Sequence, residues 1–321
     1  MDKKILVTGA TGFAGSFLLE YLSAKGNRDL LFGTYLSETG LKNLDRVRDR
    51  LRLTKVDLLN EEETYNLLEK IKPDVVFHLA AMSSAANSFS SPSKTITNNI
   101  QSQVNILEGI RKLNLTECKI LIISSSEVYG NVPQTELPIN EDAGFNPTSP
   151  YAVSKLAQDF LGLQYFLTYK LKIIRARPFN HIGPRQSEGF VVSTFAKKIV
   201  EIEKGKRDNI LNVGNLEAKR DFTDVRDMVK AYDLLIEKGA TGDVYNLGSG
   251  VSYKIADILE NLLSLSKAKI KVEIDKSLFR PLDNPELVCD ADKFKKLTGW
   301  KPEIKIETTL KETLDYWRDI I

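Results

Sequence analysis

Two cysteines, two histidines and three methionines stand in 321 residues, and that scarcity removes several kinds of protein. Cys118 and Cys289 are far apart and lack the short spacings of metal ligands, while His78 and His181 stand alone. Neither a disulfide framework nor a metal site is expected. An excess of one charge is also missing: 45 Lys and Arg face 43 Asp and Glu, a net charge of +2. No basic surface argues for nucleic acid. No apolar run approaches membrane-spanning length, and the opening MDKKILVTGA lacks the apolar core of an export signal. The expectation is a cytoplasmic protein with no membrane partner.

What the chain has is alternation. Short apolar runs, Lys4-Ile-Leu-Val7, Leu30-Leu-Phe32, Asp74-Val-Val-Phe-His-Leu79, Lys119-Ile-Leu-Ile-Ile123 and Lys172-Ile-Ile174, are separated by longer amphipathic stretches such as Ser16 to Leu22. This is the pattern of βαβ units around a parallel sheet, and it predicts an α/β fold. There is no low-complexity linker and no internal repeat, so a second domain has to be interleaved with the first. From about Arg177 the pattern turns irregular and richer in Pro, Gly and Arg, which predicts a smaller ligand-covering part. The expected boundaries are 1–176 with about 222–248 for the first domain, and about 177–221 with 249–321 for the second.

Three stretches carry chemistry. The first is Thr8-Gly-Ala-Thr-Gly-Phe-Ala-Gly15, with Gly9, Gly12 and Gly15 between a strand and a helix. Missing Cβ atoms there let the backbone approach a pyrophosphate at a helix N-terminus, the arrangement of a Rossmann-type doubly wound sheet. The end of the second strand, Gly33-Thr-Tyr-Leu-Ser37, has no acid before Glu38 and no arginine. NAD(H) and NADP(H) both stay open, with a lean toward NADP(H). The second stretch, Ser124 to Gly130 (SSSEVYG), puts hydroxyls and a carboxylate where an apolar strand leaves the core. The third is Ser149-Pro-Tyr-Ala-Val-Ser-Lys155. Tyr151 and Lys155 are four apart and share a helix face, so an ammonium near the phenol should draw its pKa down toward working pH.

In this order the motifs resemble the extended short-chain dehydrogenase/reductases, the nucleotide-sugar epimerase and dehydratase family, over essentially the whole chain. The resemblance implies Ser125, Tyr151 and Lys155 as the catalytic set. It implies a cofactor site of Gly9, Thr11, Gly12, Phe13, Ala14 and Gly15, with Asp57 and Leu58 at the adenine and Leu79, Ala80 and Ala81 at a strand end. Asn99 joins them from Asn99-Ile-Gln-Ser-Gln-Val-Asn105, where Ser102 and Gln103 replace the family's usual glycine and threonine. Tyr151 and Lys155 serve that site too.

Phe179-Asn-His-Ile-Gly-Pro-Arg185 and Lys219-Arg-Asp-Phe-Thr-Asp224 resemble the GDP-sugar branch. There they imply a GDP-sugar substrate held by Ser126, Asn180, Arg185, Arg220, Arg280 and Asp283, the three arginines on its diphosphate. Ile182-Gly-Pro184 favours a 4-keto reductase. Glu127 keeps a 4,6-dehydratase open, as the base that removes the C5 proton. A nucleotide-binding protein without activity is a third reading, opposed by the presence of both Tyr151 and Lys155. Family members pair through two helices, here the segments with Val104, Leu107, Leu156 and Phe160, which implies a homodimer.

Overall fold

The computed structural model describes residues 2–26, 28–279 and 282–321. Its first part runs β1 (Lys4–Thr8), α1 (Phe13–Ala24), β2 (Leu30–Tyr35), β3 (Leu51–Lys55), α2 (Glu61–Ile71), β4 (Val75–His78), α3 (Ala85–Ser88), α4 (Pro92–Lys112), β5 (Lys119–Ile123), α5 (Pro150–Tyr169) and β6 (Lys172–Pro178). The second continues with β7 (Asn180–Ile182), α6 (Val191–Glu203), β8 (Ile210–Val213), β9 (Lys219–Asp224), α7 (Val225–Lys238), β10 (Val244–Leu247), β11 (Ser252–Lys254), α8 (Ile255–Ser264), β12 (Lys271–Ile274), β13 (Glu286–Leu287), α9 (Asp292–Thr298) and α10 (Ile306–Ile320).

Seven strands form one parallel sheet in the order β10-β6-β5-β4-β1-β2-β3. Its strands read as continuous apolar runs because both faces are covered. Successive side chains go to opposite layers: Ile5, Val7, Val75, Phe77, Leu121 and Ile123 meet α1 and α7, while Leu6, Val76, Ile120 and Ile122 meet α2, α4 and α5. The order reverses between β1 and β4, and there a crevice opens at the carboxyl ends of the strands.

Two of these strands are not evident in the sequence. β3, Leu51-Arg-Leu-Thr-Lys55, is hidden by charge because it is an edge strand, with the Arg52 guanidinium 5.5 Å over the Phe32 ring. β10 is short, and one of its four residues is the polar but fully buried Asn246.

The stretch after Arg177 is less irregular than its composition predicts, since α6, α7, α8 and α10 fall there. Val192, Ala196, Ile199, Leu259, Leu262, Leu310 and Leu314 build a separate core beside a small sheet of β7, β9, β11 and β13. Phe294 and Trp300 instead join the core under α1 and α7, where Trp300 Nε1 donates to the Asp227 carbonyl at 3.2 Å. Both cysteines are buried free thiols. Of the four apolar residues expected at a dimer contact, Leu107 is wholly inside this chain's own core and Leu156 packs partly buried. Val104 is half-buried, and Phe160 is exposed on α5, as are Val153 and Leu167 seven residues to either side.

Candidate active site

Along the strand ends runs a cleft of about 710 Å³. Its centre is the turn between β1 and α1. Gly9 there has φ +66°, and Gly15 lies so close beneath that an added Cβ would stand 2.2 Å from the Gly9 carbonyl oxygen. No L side chain fits at Gly15 without moving the turn. Gly15→Ala is therefore expected to distort it at a cost of about 1–3 kcal/mol, read as a weaker dinucleotide Kd by fluorescence titration. The Thr8 hydroxyl accepts from the Leu79 and Ala80 amides at 3.1 Å each, and it lies 3.0 Å from His78 Nδ1. With its lone pairs so used, Thr8 donates to Nδ1. Burial drives His78 down to about 3, with Lys155 adding to the fall, so this imidazole stays neutral as a brace for the strand end.

Toward β2 and β3 the cleft is lined by Thr34 to Ser37, Thr39, Gly40, Asn43 and Val56 to Leu59. Asp57 Oδ1 accepts from the Leu59 amide, and Asn105 holds the Leu58 and Leu59 carbonyls. The β2 end carries no acid, and the Glu38 carboxylate beyond it pairs with Lys55 at 3.5 Å.

Toward β4, β5 and β6 the lining is Leu79 to Ala86, Ile123 to Glu127, Tyr151, Lys155 and Pro178 to Ile182. Ser125 Oγ accepts from the Glu127 amide at 3.2 Å and is hydrogen-bonded with the Tyr151 phenol. Glu127 is half-buried and faces both this cleft and a small recess with Ala85, Phe89, Thr148, Ser149 and Leu282 to Asn284.

The electrostatics differ from the expectation drawn from Tyr-x-x-x-Lys. Burial pushes the Tyr151 phenol up to about 12; its hydrogen bond with Ser125 opposes the rise and the Glu127 charge adds to it. Lys155 donates to the Ile123 carbonyl at 2.7 Å, and burial brings its amine down to about 7. The lysine does not draw the phenol down, because the dry setting disfavours both charges. Tyr151 therefore holds its proton at neutral pH.

A consequence follows for stability. Since the folded amine binds its proton more weakly than an unfolded lysine, the unfolded chain carries more protons between pH about 7 and the ordinary value near 10.4. Stability from this residue thus rises with pH across that window and is least below it. Lys155→Met should be the more stable protein near pH 7 and lose that advantage by pH 10. Urea unfolding at both pH values measures the difference, and a pH-independent gap would contradict it.

Several expected site residues are placed elsewhere. Asn99 does not line the cleft: it is fully buried, exchanges hydrogen bonds with both backbone groups of Met82, and donates to Ser154 Oγ at 2.9 Å. It fixes the Met82 loop that does line the cleft. Nor do the described arginines converge on one diphosphate. Arg185 does line the cleft, on its glycine-turn side: it packs at 4.4 Å over Phe17 and donates to Glu20 at 2.8 Å and to the Asn43 carbonyl at 3.1 Å. Arg220 is buried on β9, with its guanidinium on Asp283 at 2.6 Å and on the Lys219 and Asn284 carbonyls. Asp283 also accepts from Asn215. Arg280 lies outside the described residues.

Sequence reasoning missed the β2-end hydroxyls, the Met82–Ala86 loop, His181 and Tyr232. His181 stacks on Phe13 with centroids 5.8 Å apart, joining β7 to the glycine turn. Its position after Asn180 was the available signal.

The tight glycine turn fits a dinucleotide, as do two buried polar atoms without partners among the described residues, Asn180 Oδ1 and the Tyr232 hydroxyl, whose residues line the same cleft. Among those residues no cluster of His, Cys, Asp or Glu is arranged to hold a metal, and no helix is long and apolar enough to cross a membrane.

Known proteins match throughout. The chain is 33% identical over 317 residues to the GDP-6-deoxy-D-mannose reductase of Pseudomonas aeruginosa, covering 99% of this chain and 98% of that one. It is 32% identical over 326 residues to GDP-mannose 4,6 dehydratase 1 of Arabidopsis thaliana, covering 98% and 89%. The solved structure of RMD from Pseudomonas aeruginosa complexed with NADPH superposes with a TM-score of 0.85 at 32% identity, covering 99% of this chain and all of that one. The family model for GDP-mannose 4,6 dehydratase matches residues 6–313. The resemblance drawn from the motifs is borne out: the chain belongs to the GDP-mannose 4,6 dehydratase family of NAD(P)-dependent nucleotide-sugar enzymes.

Proposed function

We propose that this enzyme reduces the C4 keto group of GDP-4-dehydro-6-deoxy-D-mannose to give GDP-D-rhamnose, using NADPH in preference to NADH. The observation that carries the reading is the buried Tyr151 phenol, hydrogen-bonded with Ser125 where both line the cleft. Reduction of a ketone needs a proton donor at the oxygen that gains charge, and a phenol held near pKa 12 gives its proton readily to an alkoxide but not to bulk water.

A dinucleotide would be held at the turn by the Gly9 to Gly15 backbone, with Asp57 and Leu58 on the adenine side and Leu79 to Ala81, Tyr151 and Lys155 on the other, and when bound would supply the hydride for C4. Ser125 orients the C4 oxygen, and Tyr151 donates its phenolic proton to that oxygen as charge develops. Lys155, four residues on, is close enough in pKa to neutrality to return a proton to the site. Ser126 and Asn180, which line the cleft, would face the sugar nucleotide, while Asp283 lines the small recess beside Glu127. The absence of an acid at the β2 end, where Ser37 and Thr39 offer hydroxyls, supports the cofactor choice.

The dehydratase reading has one observation in its favour. Glu127 follows Ser125 by two residues and lines the same cleft, where a base acting at C5 would have to be. NADPH oxidation at 340 nm with the keto sugar, run beside a reaction given GDP-mannose, tests both. Turnover of the keto sugar, retained in large part by Glu127→Gln, is expected. Rapid dehydration of GDP-mannose, lost in Glu127→Gln, would install the dehydratase instead.

A further inference from the structure

Tyr232 has a hydroxyl that the core does not satisfy. It stands on α7 in the inward series Val225, Met228, Val229, Tyr232, Leu235 and Ile236, and is fully buried. The same residue lines the cleft, and its hydroxyl has no hydrogen-bond partner among the described residues. Burying a hydroxyl unpaired costs free energy that a phenylalanine in this position would not. Burial also holds this phenol well above its ordinary pKa, the Tyr151 phenol adding to the rise. It is thus a permanent donor at the cleft wall.

Topology says which part of a dinucleotide it meets. The glycine turn follows β1, in the middle of the sheet, with β2 and β3 to one side and β4, β5 and β6 to the other. A pyrophosphate at that turn sends adenosine toward Thr34 to Ser37 and Val56 to Leu59, and the nicotinamide end toward β4, β5 and β6. α7 packs against β5 and β6 in the layer that also holds α1, while Tyr151 comes from α5 in the opposite layer. Two phenols therefore reach the same end of the cleft from opposite faces of the sheet.

We propose that the Tyr232 hydroxyl is a hydrogen-bond donor to the nicotinamide end of the bound dinucleotide, a positioning contact opposite the Tyr151 side. The acceptors available there are the carboxamide oxygen and the ribose hydroxyls. The inference rests on dinucleotide binding in this cleft and not on the keto-sugar reading, so its test contains no sugar.

Tyr232→Phe removes the hydroxyl alone. Wild type and variant are titrated with NADPH, NADH and ADP, which lacks both the nicotinamide and its ribose, and thermal unfolding is recorded without ligand. The expected result is a Kd raised about tenfold for both reduced dinucleotides, an unchanged Kd for ADP, and a Tm without ligand equal to or above that of the wild type. Equal weakening of ADP would overturn the assignment, as would unchanged dinucleotide binding. A lowered Tm with unchanged binding would show instead that the hydroxyl serves the fold.

Discussion

Tyr151→Phe is expected to lower kcat on the keto sugar by roughly 10²–10⁴-fold, the usual contribution of a positioned proton donor, while NADPH binds nearly as it does to the wild type. The reason is where the hydroxyl acts. In the proposed reduction its proton moves only as the C4 oxygen gains charge, so its loss would fall on the transition state and leave the ground-state complex largely intact. Burial strengthens the effect. Phenylalanine fills the same volume in a residue only 9% exposed, and little water can enter to act as a substitute acid. The fall should appear in kcat and kcat/KM together. Stopped-flow and steady-state assays measure it, and a variant within about tenfold of wild type would exclude Tyr151 as the donor. A larger KM with unchanged kcat would mean that the phenol binds sugar without taking part in the chemistry.

Ser125→Ala makes an instructive contrast, because Ser125 Oγ also accepts the Glu127 amide. That serine shapes its own turn as well as holding, in the proposed reaction, the substrate oxygen. A loss of activity there has two sources, whereas Tyr151→Phe has one.

Much of this site was legible in the sequence because its signals are local. A glycine turn between strand and helix, hydroxyls at a strand end, and Tyr and Lys one helical turn apart each fix geometry within a few residues. The cleft gathers all three. The sheet was legible for the same reason, since strands buried on both faces need continuous apolar runs.

What the sequence hid depends on distant partners. Arg185 reads as a phosphate ligand from its motif, and it does line the cleft, but its partners Glu20 and the Asn43 carbonyl, more than a hundred residues away, are invisible in that motif. Asn99 reads as a cofactor contact, but Met82 and Ser154 take up its amide. The Tyr151 pKa is likewise set by burial, which no spacing of tyrosine and lysine reveals. Tyr232 is the extreme case: its helix gives only a core periodicity, and the unpaired hydroxyl emerges once the cleft wall is built.

The largest expected loss of stability lies one more turn along α5. Tyr151, Lys155 and Asp159 follow at four-residue steps, so the helix face that presents the phenol also buries a carboxylate. Asp159 accepts from Arg175 at 2.7 Å and from Arg177 at 2.8 Å, both on β6 and all three nearly inaccessible. Arg177 in turn donates to the Tyr129 hydroxyl at 2.9 Å and stacks over the Tyr129 and Phe145 rings, while Tyr129 donates to Asn246 on β10. Tyr129 directly follows the Ser126–Val128 turn that carries Glu127. One carboxylate thereby ties α5 to β6 and, through Arg177, to the active-site turn. Asp159→Ala leaves two buried guanidinium groups without their main counter-charge, and removing one partner of such a group costs about 3–5 kcal/mol. Urea unfolding should show that loss, and kcat should fall with it as the Ser125–Glu127 turn loosens. Arg175→Met in the Asp159→Leu background is expected to recover part of the stability, because it removes one of the stranded charges. A loss below about 1 kcal/mol, the scale of an exposed ion pair, would show that water reaches the network and that the turn is held by its packing alone.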